Sequence, residues 1–405
     1  MSTQLPPNNM LEDIFTEIAI RIQLPPSKYR LACERYKTIA DYLERDGSPL
    51  KDQIARFYPQ GSMAIGATIS SRGHDQEYDI DIVGELLLPS DTPPKIVLDT
   101  LYTAIKGEKG SRYYDMVKRR TRCVTIYYED GMHLDVTPVI LQSSYPERTS
   151  DLFHDDPDKP YEEPAKLLMN AWGFCTLFKA NTADTTSFAD RYSRSVRTFD
   201  VLAKAETEEV DPQEDPSRKS SDVVALQLIK RFRNIQYSNR EERLPPSILL
   251  SKFVNDAANP MDSLVDALIY HTTFIRQQLV GADRTFKLIH EVNPTCEEDC
   301  FTDRWPLKIS EQRQFISDLN YLLDSLKKLK SSELSIDQIQ NLLADLFGEF
   351  PVKAAIRATQ EMVGNATRSG STGHKIGGGI LLGATTSSLM RGAKANTNMG
   401  GDFPA

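Results

Sequence analysis

The sequence predicts an α+β fold, in which a mixed α/β core is followed by a helical lobe. Three strand-like runs lie in the first 160 residues, over 78–88, 122–128 and 132–140. From Tyr161 onward the apolar residues recur three or four positions apart, which indicates helices. We therefore expect three parts: a core over 1–160, a helical lobe over 161–352 and a flexible tail over 353–405.

The core is expected to begin with helices. Apolar residues at helical spacing over 10–22 and 29–43 predict a long N-terminal helical segment, which the Pro25-Pro26 pair interrupts. A second proline pair, Pro93-Pro94, opens a helix over 95–105. The Asp-Gly pair at 130–131 separates the last two strand-like runs and is a strong signal for a hairpin. Strands and helices are therefore mixed in this part of the chain.

The lobe is expected to consist of several helices. Apolar stripes predict helices over 262–279 and 312–329. Ser335 and Gln338 resemble a capping box, which would start a last helix that ends near Gly348. The acidic segment 206–219 carries two prolines and predicts a mobile loop.

The C-terminal 43 residues differ in composition from the rest of the chain. They hold ten of the 21 glycines and a net charge of +3, whereas the whole chain carries −9 and the remainder therefore −12. Beyond about Gly364 no apolar periodicity is visible. This composition predicts a flexible tail outside the packed fold.

The overall composition excludes some classes of function. A pI near 5.4 argues against a protein that mainly grips nucleic acid, because such binding neutralises phosphates with lysine and arginine. No apolar run approaches the roughly 20 residues that span a bilayer, and the N-terminus lacks a secretory pattern. Five scattered cysteines form no disulfide framework. We therefore expect a cytoplasmic protein without a membrane partner.

Three aspartates and a Gly-Ser pair are the residues most typical of catalysis. Asp79 and Asp81 are two apart in a strand, so their side chains share one face while the intervening isoleucine faces the core. Asp135 lies in a hairpin strand with the same alternation. The preceding Gly61-Ser62 pair is suited to phosphate, because glycine permits close backbone approach and serine donates a hydrogen bond. If the two strands pair, the three carboxylates share one surface.

Such a cluster predicts a divalent cation. Unshielded carboxylates repel one another and raise each other's pKa, and Mg²⁺ prefers hard carboxylate oxygens together with substrate phosphates. Two ions about 3.5–4 Å apart can stabilise both oxygens of a phosphoryl displacement. We therefore expect two Mg²⁺ ions, with Mn²⁺ as an alternative.

In this order, the motifs resemble those of the polymerase-β-like nucleotidyltransferases. The rest of the chain resembles one branch of them, the cGAS/DncV-like nucleotidyltransferases (CD-NTases) of the bacterial anti-phage systems called CBASS. Further segments carry this resemblance: 170–174, where Ala171 replaces the family's proline, 227–234, 244–250, 292–294 with 303–306, and 346–348. The resemblance implies a polymerase-β-like core with a long N-terminal helix, a C-terminal helical lobe, and an active site in the cleft between them.

The resemblance also implies roles for individual residues. Asp79, Asp81 and Asp135 would ligate the metal, and Asp135 would act as the general base. Donor triphosphate binding would fall to five residues: Gln60, Gly61, Ser62, Lys230 and Ser247. For Lys230, an ordinary solvated lysine stays an alternative, whereas Arg231 and Arg233 are interpreted as structural ion-pair formers.

The implied reaction joins nucleoside triphosphates, ATP expected among them, into a cyclic di- or trinucleotide second messenger with release of pyrophosphate. A cyclic-nucleotide effector would act downstream. Two alternatives stay open: a template-independent RNA or oligoadenylate nucleotidyltransferase, which the −12 body disfavours, and a catalytically silent nucleotide-binding module. The sequence fixes neither the bases nor the linkage nor the ring size.

Three weaker signals lie outside this constellation. The resemblance implies that an E1–E2-like partner conjugates the chain through Ala405, with a functionless tail as the alternative. His290, Cys296 and Cys300, with Cys175 or another ligand, could bind zinc, although such cysteines are more often small buried apolar residues. The basic run over 118–122 is interpreted as a solvated face, with nucleic acid or partner contact as the alternative.

Overall fold

The computed structural model describes residues 9–70, 78–142, 145–159, 161–183, 187–203, 218–331 and 334–368, with short segments at 372–374, 380–382 and 394–395. The chain divides into two compact units. Unit 1 comprises Met1–Arg21 with Tyr321–Ala405, and unit 2 comprises Ile22–Asn320.

Helices occur along the whole described chain. They are α1 (Asn9–Ile22), α2 (Pro26–Leu43), α3 (Gly61–Ala64), α4 (Pro94–Lys106), α5 (Ala171–Asn181), α6 (Ser187–Ala203), α7 (Ser221–Gln236), α8 (Ser247–Asp256), α9 (Leu264–Arg284), α10 (Ile309–Lys330), α11 (Ile336–Phe347) and α12 (Glu349–Arg368).

The strands are short, and the larger sheet lies in unit 2. They are β1 (Ile54–Pro59), β2 (Tyr78–Leu86), β3 (Val117–Arg119), β4 (Val124–Tyr127), β5 (Met132–Leu141), β6 (Ser150–His154), β7 (Ala165–Met169), β8 (Val292–Asn293), β9 (Cys296–Cys300), β10 (Thr372–His374), β11 (Ile380–Leu382) and β12 (Lys394–Ala395).

The sheet of unit 2 is mixed. Five strands follow the order β1-β2-β5-β4-β3, and β6 joins β5 and also pairs with β7. Strand β2 runs parallel to β5, whereas the other neighbours are antiparallel, including the predicted β4–β5 hairpin. A parallel pair needs a crossover, and helix α4 lies within it. The prediction of a mixed α/β core is confirmed.

Helices α2 and α4 cover one face of this sheet. Ile80 and Ile82 of β2 are fully buried there together with Ile39 of α2 and Leu98 of α4. Because alternate residues of a strand point to opposite faces, this burial turns the intervening acidic residues of β2 away from the core. Burying each such side chain contributes about 1.5–3 kcal/mol, which fixes the register of β2 firmly.

Helix α5 begins where an asparagine caps it. The side chain of Asn170 accepts a hydrogen bond from the backbone N–H of Gly173 at 2.7 Å and donates to Thr149. A Cβ on Gly173 would lie 2.7 Å from Oγ1 of Thr295 and 2.8 Å from Oδ1 of Asn170. The Asn-x-x-Gly spacing therefore has a packing reason: glycine leaves room for the cap.

Helix α7 is a deeply buried helix of unit 2. Its residues are buried from Ser221 to Asn234, polar side chains included, and it packs against α8 and α9. Ser220 caps it by accepting from the N–H of Val223. Polar residues on so buried a helix need partners, because an unpaired buried polar group costs about 1–3 kcal/mol.

Unit 1 contains a helical pair that the sequence anticipated only in part. The capping box of Ser335 and Gln338 is present at the start of α11, as predicted. Phe15 and Phe347 pack edge to face with ring centroids 5.6 Å apart. The assignment of 353 onward to a flexible tail is wrong for the first sixteen of its residues, since α12 continues to Arg368. Burial of Val352, Ala355 and Ile356 against unit 1 explains the extra helix.

Other differences concern strands. The sequence assigned 161 onward to helices, yet β7 lies at the edge of the sheet and β8 and β9 form a small hairpin. Strand β1 was missed because its apolar residues do not alternate with polar ones and because it ends at a proline, which is tolerated at strand ends and edges. The predicted mobile loop lies outside the described residues over 206–217. Within the described part of the chain, no helix is both long and apolar enough to cross a bilayer.

The cap of α5 yields a stability prediction with an internal control. Gly173→Ala should lower the melting temperature, because its methyl group displaces the capping carboxamide; losing a cap costs typically about 1 kcal/mol. Gly281→Ala in α9 should instead raise the melting temperature slightly. No atom beyond the neighbouring helix backbone lies within 4 Å of the added Cβ, and alanine is the better helix former by up to about 1 kcal/mol. Thermal unfolding of both variants measures the difference. Equal effects of the two substitutions would contradict the packing argument.

Candidate active site

A tight turn between β1 and β2 forms the first part of the site. Gly61 adopts φ +54°, and a Cβ there would lie 2.7 Å from Oδ2 of Asp81. The backbone N–H of Gln60 donates to the carbonyl of Asp81 at 2.9 Å, which fastens the turn to β2. Ser62 and Met63 follow in the short helix α3. Only glycine fits at position 61 without displacing the carboxylate.

The predicted aspartates come together on the sheet. In the parallel β2–β5 pair, Asp81 is directly opposite Asp135, and Asp79 is opposite His133. Asp79 is exposed, whereas Asp81 and Asp135 are half-buried. The hydroxyl of Thr125 in β4 donates to Oδ1 of Asp135 at 2.5 Å. The expectation that the two strands pair and that the carboxylates share one face is confirmed.

Electrostatic repulsion is strong in this cluster. Burial, followed by the charges of Asp135 and Asp79, raises the pKa of Asp81 to about 7, and Lys230 opposes this shift. Two adjacent anions of this kind favour either a proton or a cation between them. Hard carboxylate oxygens in a cluster of excess negative charge fit a divalent ion such as Mg²⁺.

The carboxylates alone do not enclose an ion. Among the described residues, no three acidic, histidine or cysteine side chains are arranged to hold one by themselves. This agrees with the preference of Mg²⁺ for one or two protein carboxylates plus water and substrate phosphates. The same holds for the zinc site considered above: among the described residues, His290 and the cysteines do not form a group of three ligands. Nδ1 of His290 and Sγ of Cys300 are 3.9 Å apart.

His133 is a neighbour of the cluster that the sequence interpretation missed. Its Nδ1 lies 3.4 Å from Oδ1 of Asp79, and its ring packs edge to face on Tyr127 at a centroid distance of 4.7 Å. Its place two residues before Asp135 in the same strand is the signal that would have found it. The imidazole is therefore a direct neighbour of the exposed Asp79 carboxylate.

Lys230 of α7 reaches into the turn. Its Nζ donates to Oγ of Ser62 at 2.6 Å and to the carbonyl of Ala67 at 2.8 Å. The residue is only 3% exposed, so the alternative of an ordinary solvated lysine is wrong. Burial, with repulsion from Arg233, lowers the pKa of Lys230 to about 7, and Asp81 opposes this. The nearby negative charge therefore does not fully compensate the charge of the buried ammonium group.

Lys219 is a second buried lysine beside the same turn, and the sequence interpretation did not single it out. Its Nζ donates to Oε1 of Gln23 at 2.6 Å, and its Cε lies 4.0 Å from where a Cβ of Gly66 would be. Burial alone lowers the pKa of Lys219 to about 7. No carboxylate pairs with it among the residues that the structure describes. The signal was its position directly before the N-cap of a wholly buried helix.

The remaining predicted residues lie nearby or outside the description. Ser247, the first residue of α8, accepts from Nη1 of Arg233 at 3.1 Å. Arg233 also donates to the carbonyl of Pro245, and Arg231 donates to Oγ of Ser70; that these two arginines form ion pairs stays a prediction. Ala405 lies outside the described residues, and its conjugation stays a prediction.

Known proteins resemble this chain over most of its length. The model of the Second Messenger Oligonucleotide or Dinucleotide Synthetase (SMODS) domain matches residues 10–159. The chain is 36% identical over 399 residues to the cyclic dinucleotide synthase CdnG of Bradyrhizobium diazoefficiens, covering 96% of this chain and 94% of that protein. It is 25% identical over 363 residues to the c-di-GMP synthase of Roseivirga ehrenbergii, covering 89% and 90%.

Solved structures of CD-NTases are also similar to this chain. The B. diazoefficiens CD-NTase CdnG in complex with GTP matches with a TM-score of 0.75 at 35% identity, covering 86% of this chain and 99% of that one. CdnC of Escherichia coli MS115-1 with ATP matches with a TM-score of 0.58 at 16% identity, covering 83% and 96%, and supports the fold alone.

Lys219 leads to a prediction about stability and pH. Its pKa is near 7 in the folded protein and about 10.4 in the unfolded chain, so the burial penalty is full below pH 7 and disappears as the pH rises toward 10. Lys219→Met should therefore raise the melting temperature most at pH 6–7, by roughly 2–4 °C per kcal/mol relieved, and hardly at all near pH 10. Lys252→Met, which removes an ammonium paired with Asp256 and Glu291, should lower it at pH 7. A gain for Lys219→Met that is independent of pH would contradict the burial argument.

Proposed function

The chain belongs to the cGAS/DncV-like nucleotidyltransferases, the family of second messenger oligonucleotide or dinucleotide synthetases. From this membership we propose that it makes a cyclic dinucleotide from GTP, or from GTP and ATP, with Mg²⁺. It is an enzyme of the nucleotidyltransferase class. Guanine nucleotides are proposed because one relative is named a c-di-GMP synthase and CdnG has been solved with GTP. A cyclic trinucleotide stays the alternative product.

One observation supports the catalytic assignment above the others: Asp81 and Asp135 face each other in register on parallel strands, beside the Gly61 turn. The proposed reaction forms a bond from a ribose hydroxyl oxygen to the donor α-phosphorus. The bond from that phosphorus to the bridging oxygen of the β-phosphate breaks, and pyrophosphate leaves. Catalysis of this kind rests on positioning and on charge stabilisation.

Each residue then has a distinct task. Asp135 accepts the proton of the attacking hydroxyl; Thr125 occupies its Oδ1 and thereby leaves Oδ2 for the substrate. Ser62 and Lys230 hold the outer phosphates of the donor, with the N–H groups of the turn. Mg²⁺, when held by Asp79, Asp81 and Asp135, neutralises the charge that develops on the phosphoryl oxygens and the leaving group.

Lys219 adds to the charge on the donor side. The two buried ammonium groups lie on the turn that precedes β2, where a triphosphate would supply the missing negative charge. Gln60 contacts Thr137 through its side chain at 3.3 Å, which directs it along the β2–β5 face rather than into solvent. Ser247 would join the same phosphates by exchanging its bond to Arg233.

In cells the proposed product is a second messenger that a nucleotide-binding effector detects, within an anti-phage system of the CBASS type. This part of the proposal rests on family membership. The alternatives make different products: an RNA nucleotidyltransferase would extend an oligonucleotide, and a silent module would make none.

The proposal is tested with labelled GTP and ATP in Mg²⁺. We expect a product that resists phosphatase because it is cyclic, and mass spectrometry assigns its bases and ring size. Asp79→Ala with Asp81→Ala should abolish this product while thermal unfolding stays cooperative. Asp324→Ala, at an exposed carboxylate of α10, should leave turnover unchanged. Product formation by the double variant at the wild-type rate would refute the assignment of the metal ligands.

A further inference from the structure

A second group of basic side chains lies outside the donor site just described. Arg122 precedes β4, His154 ends β6, and Arg304 follows the β8–β9 hairpin. Nε of Arg122 and Nη2 of Arg304 both lie within hydrogen-bond distance of Nδ1 of His154, at 3.3 and 3.2 Å. Both guanidinium groups therefore converge on one ring nitrogen, which must be unprotonated to accept them.

The positive charge of this group is only partly compensated. Among the described residues, Asp303 is the carboxylate within ion-pair distance of the arginines, at 2.6 Å from Nη2 of Arg122 and 3.9 Å from Nε of Arg304. Asp156, Glu162 and Asp299 act on the group only electrostatically. Burial and the neighbouring Arg122 lower the pKa of Arg304, and burial and both arginines lower the pKa of His154. Two guanidinium groups that share one ion-paired carboxylate keep further N–H donors, and arginine is the side chain favoured for binding phosphate.

The group is accessible to a ligand. The side chains of Arg122 and Arg304 are 23% and 30% exposed, unlike Arg119 of the same basic run, which is 8% exposed and paired with Asp99 and Asp155. The interpretation of the basic run as a solvated face therefore does not describe all its members. The side chain of Arg119 is buried and ion-paired, and Arg122 belongs to the group around His154.

The topology places the group across the carboxylates from the donor site. The sheet order is β1-β2-β5-β4, so the Gly61 turn lies beyond β2, whereas Arg122 lies beyond β5 at the start of β4. Thr125 of β4 is opposite Asp135, and Arg122 is three residues away, about 10 Å at 3.3 Å per residue. Between them, the pKa of Cys123 is raised by burial and by Asp135 and Asp81, so this thiol is near both carboxylates.

We propose that Arg122, His154 and Arg304 form an anion site for the 5′-triphosphate of the acceptor nucleotide, the one whose hydroxyl attacks. This inference rests on the proposed function, which requires two nucleotides at one set of carboxylates. The donor phosphates use the lysines on the β2 side. The acceptor, with its hydroxyl at Asp135, extends its phosphates toward β4 and β6 and displaces Asp303 as the partner of the guanidinium groups.

Equilibrium binding tests the site without turnover. In the Asp135→Asn background, calorimetric titration with GTP and Mg²⁺ should show two binding events per chain. Adding Arg304→Gln should weaken one of them about tenfold or more, the loss expected for a charge-assisted hydrogen bond, and leave the other unchanged. Arg313→Gln, at an arginine paired with Asp283 outside the group, is the matched control. GTP binding that Arg304→Gln leaves unchanged, in one event or two, would overturn the site.

A second variant separates binding from a structural role. Asp303→Asn removes the competing carboxylate, so the acceptor event should become several-fold tighter, opposite in sign to Arg304→Gln. If Arg122, Asp303 and Arg304 serve only as a structural ion pair, both variants should weaken binding or lower the melting temperature together, and that result would also overturn the site. Failure of the proposed function appears elsewhere, as wild-type protein that binds GTP without forming product.

Discussion

The parallel pairing of β2 with β5 is the constraint on which the site depends. Alternate residues of β2 are buried against α2 and α4, so the strand cannot slip by one residue without moving two isoleucines into solvent and two aspartates into the core. Once β2 is fixed, the register puts Asp135 opposite Asp81. The core thus forces together carboxylates that repel each other, and the folding energy of the apolar face holds them there.

Buried charge on the opposite side of the turn complements this arrangement. Lys230 ties α7 to the Gly61 turn through Ser62 and a backbone carbonyl, and Lys219 lies beside it, with no carboxylate partner among the described residues. Anions are thus left in excess on the sheet and cations in excess beside the turn. Both imbalances destabilise the free protein, and the proposed metal–triphosphate complex would relieve both, which would make binding energy available for positioning.

Much of this was predictable from sequence, for identifiable reasons. The period-two alternation around Asp79 and Asp81, and the Asp-Gly hairpin before Asp135, fixed which side chains share a face. The β2–β5 pairing was not fixed, because it joins strands separated by α4, and local patterns carry no information about such crossovers. Lys219 was missed because its sequence neighbours are acidic and polar, whereas its burial comes from Gln23 and the turn, which are distant in sequence. Strand β1 was missed because its apolar residues do not alternate with polar ones, so it lacks the period-two signal of a half-buried strand.

The two buried lysines have a thermodynamic consequence for any ligand that brings negative charge. With pKa values near 7, each is only partly ionised in the free protein at neutral pH. An arriving triphosphate favours the charged forms, so its association takes up protons from the solution. The measured enthalpy of association then includes the ionisation heat of the buffer, and the affinity declines as the medium becomes alkaline.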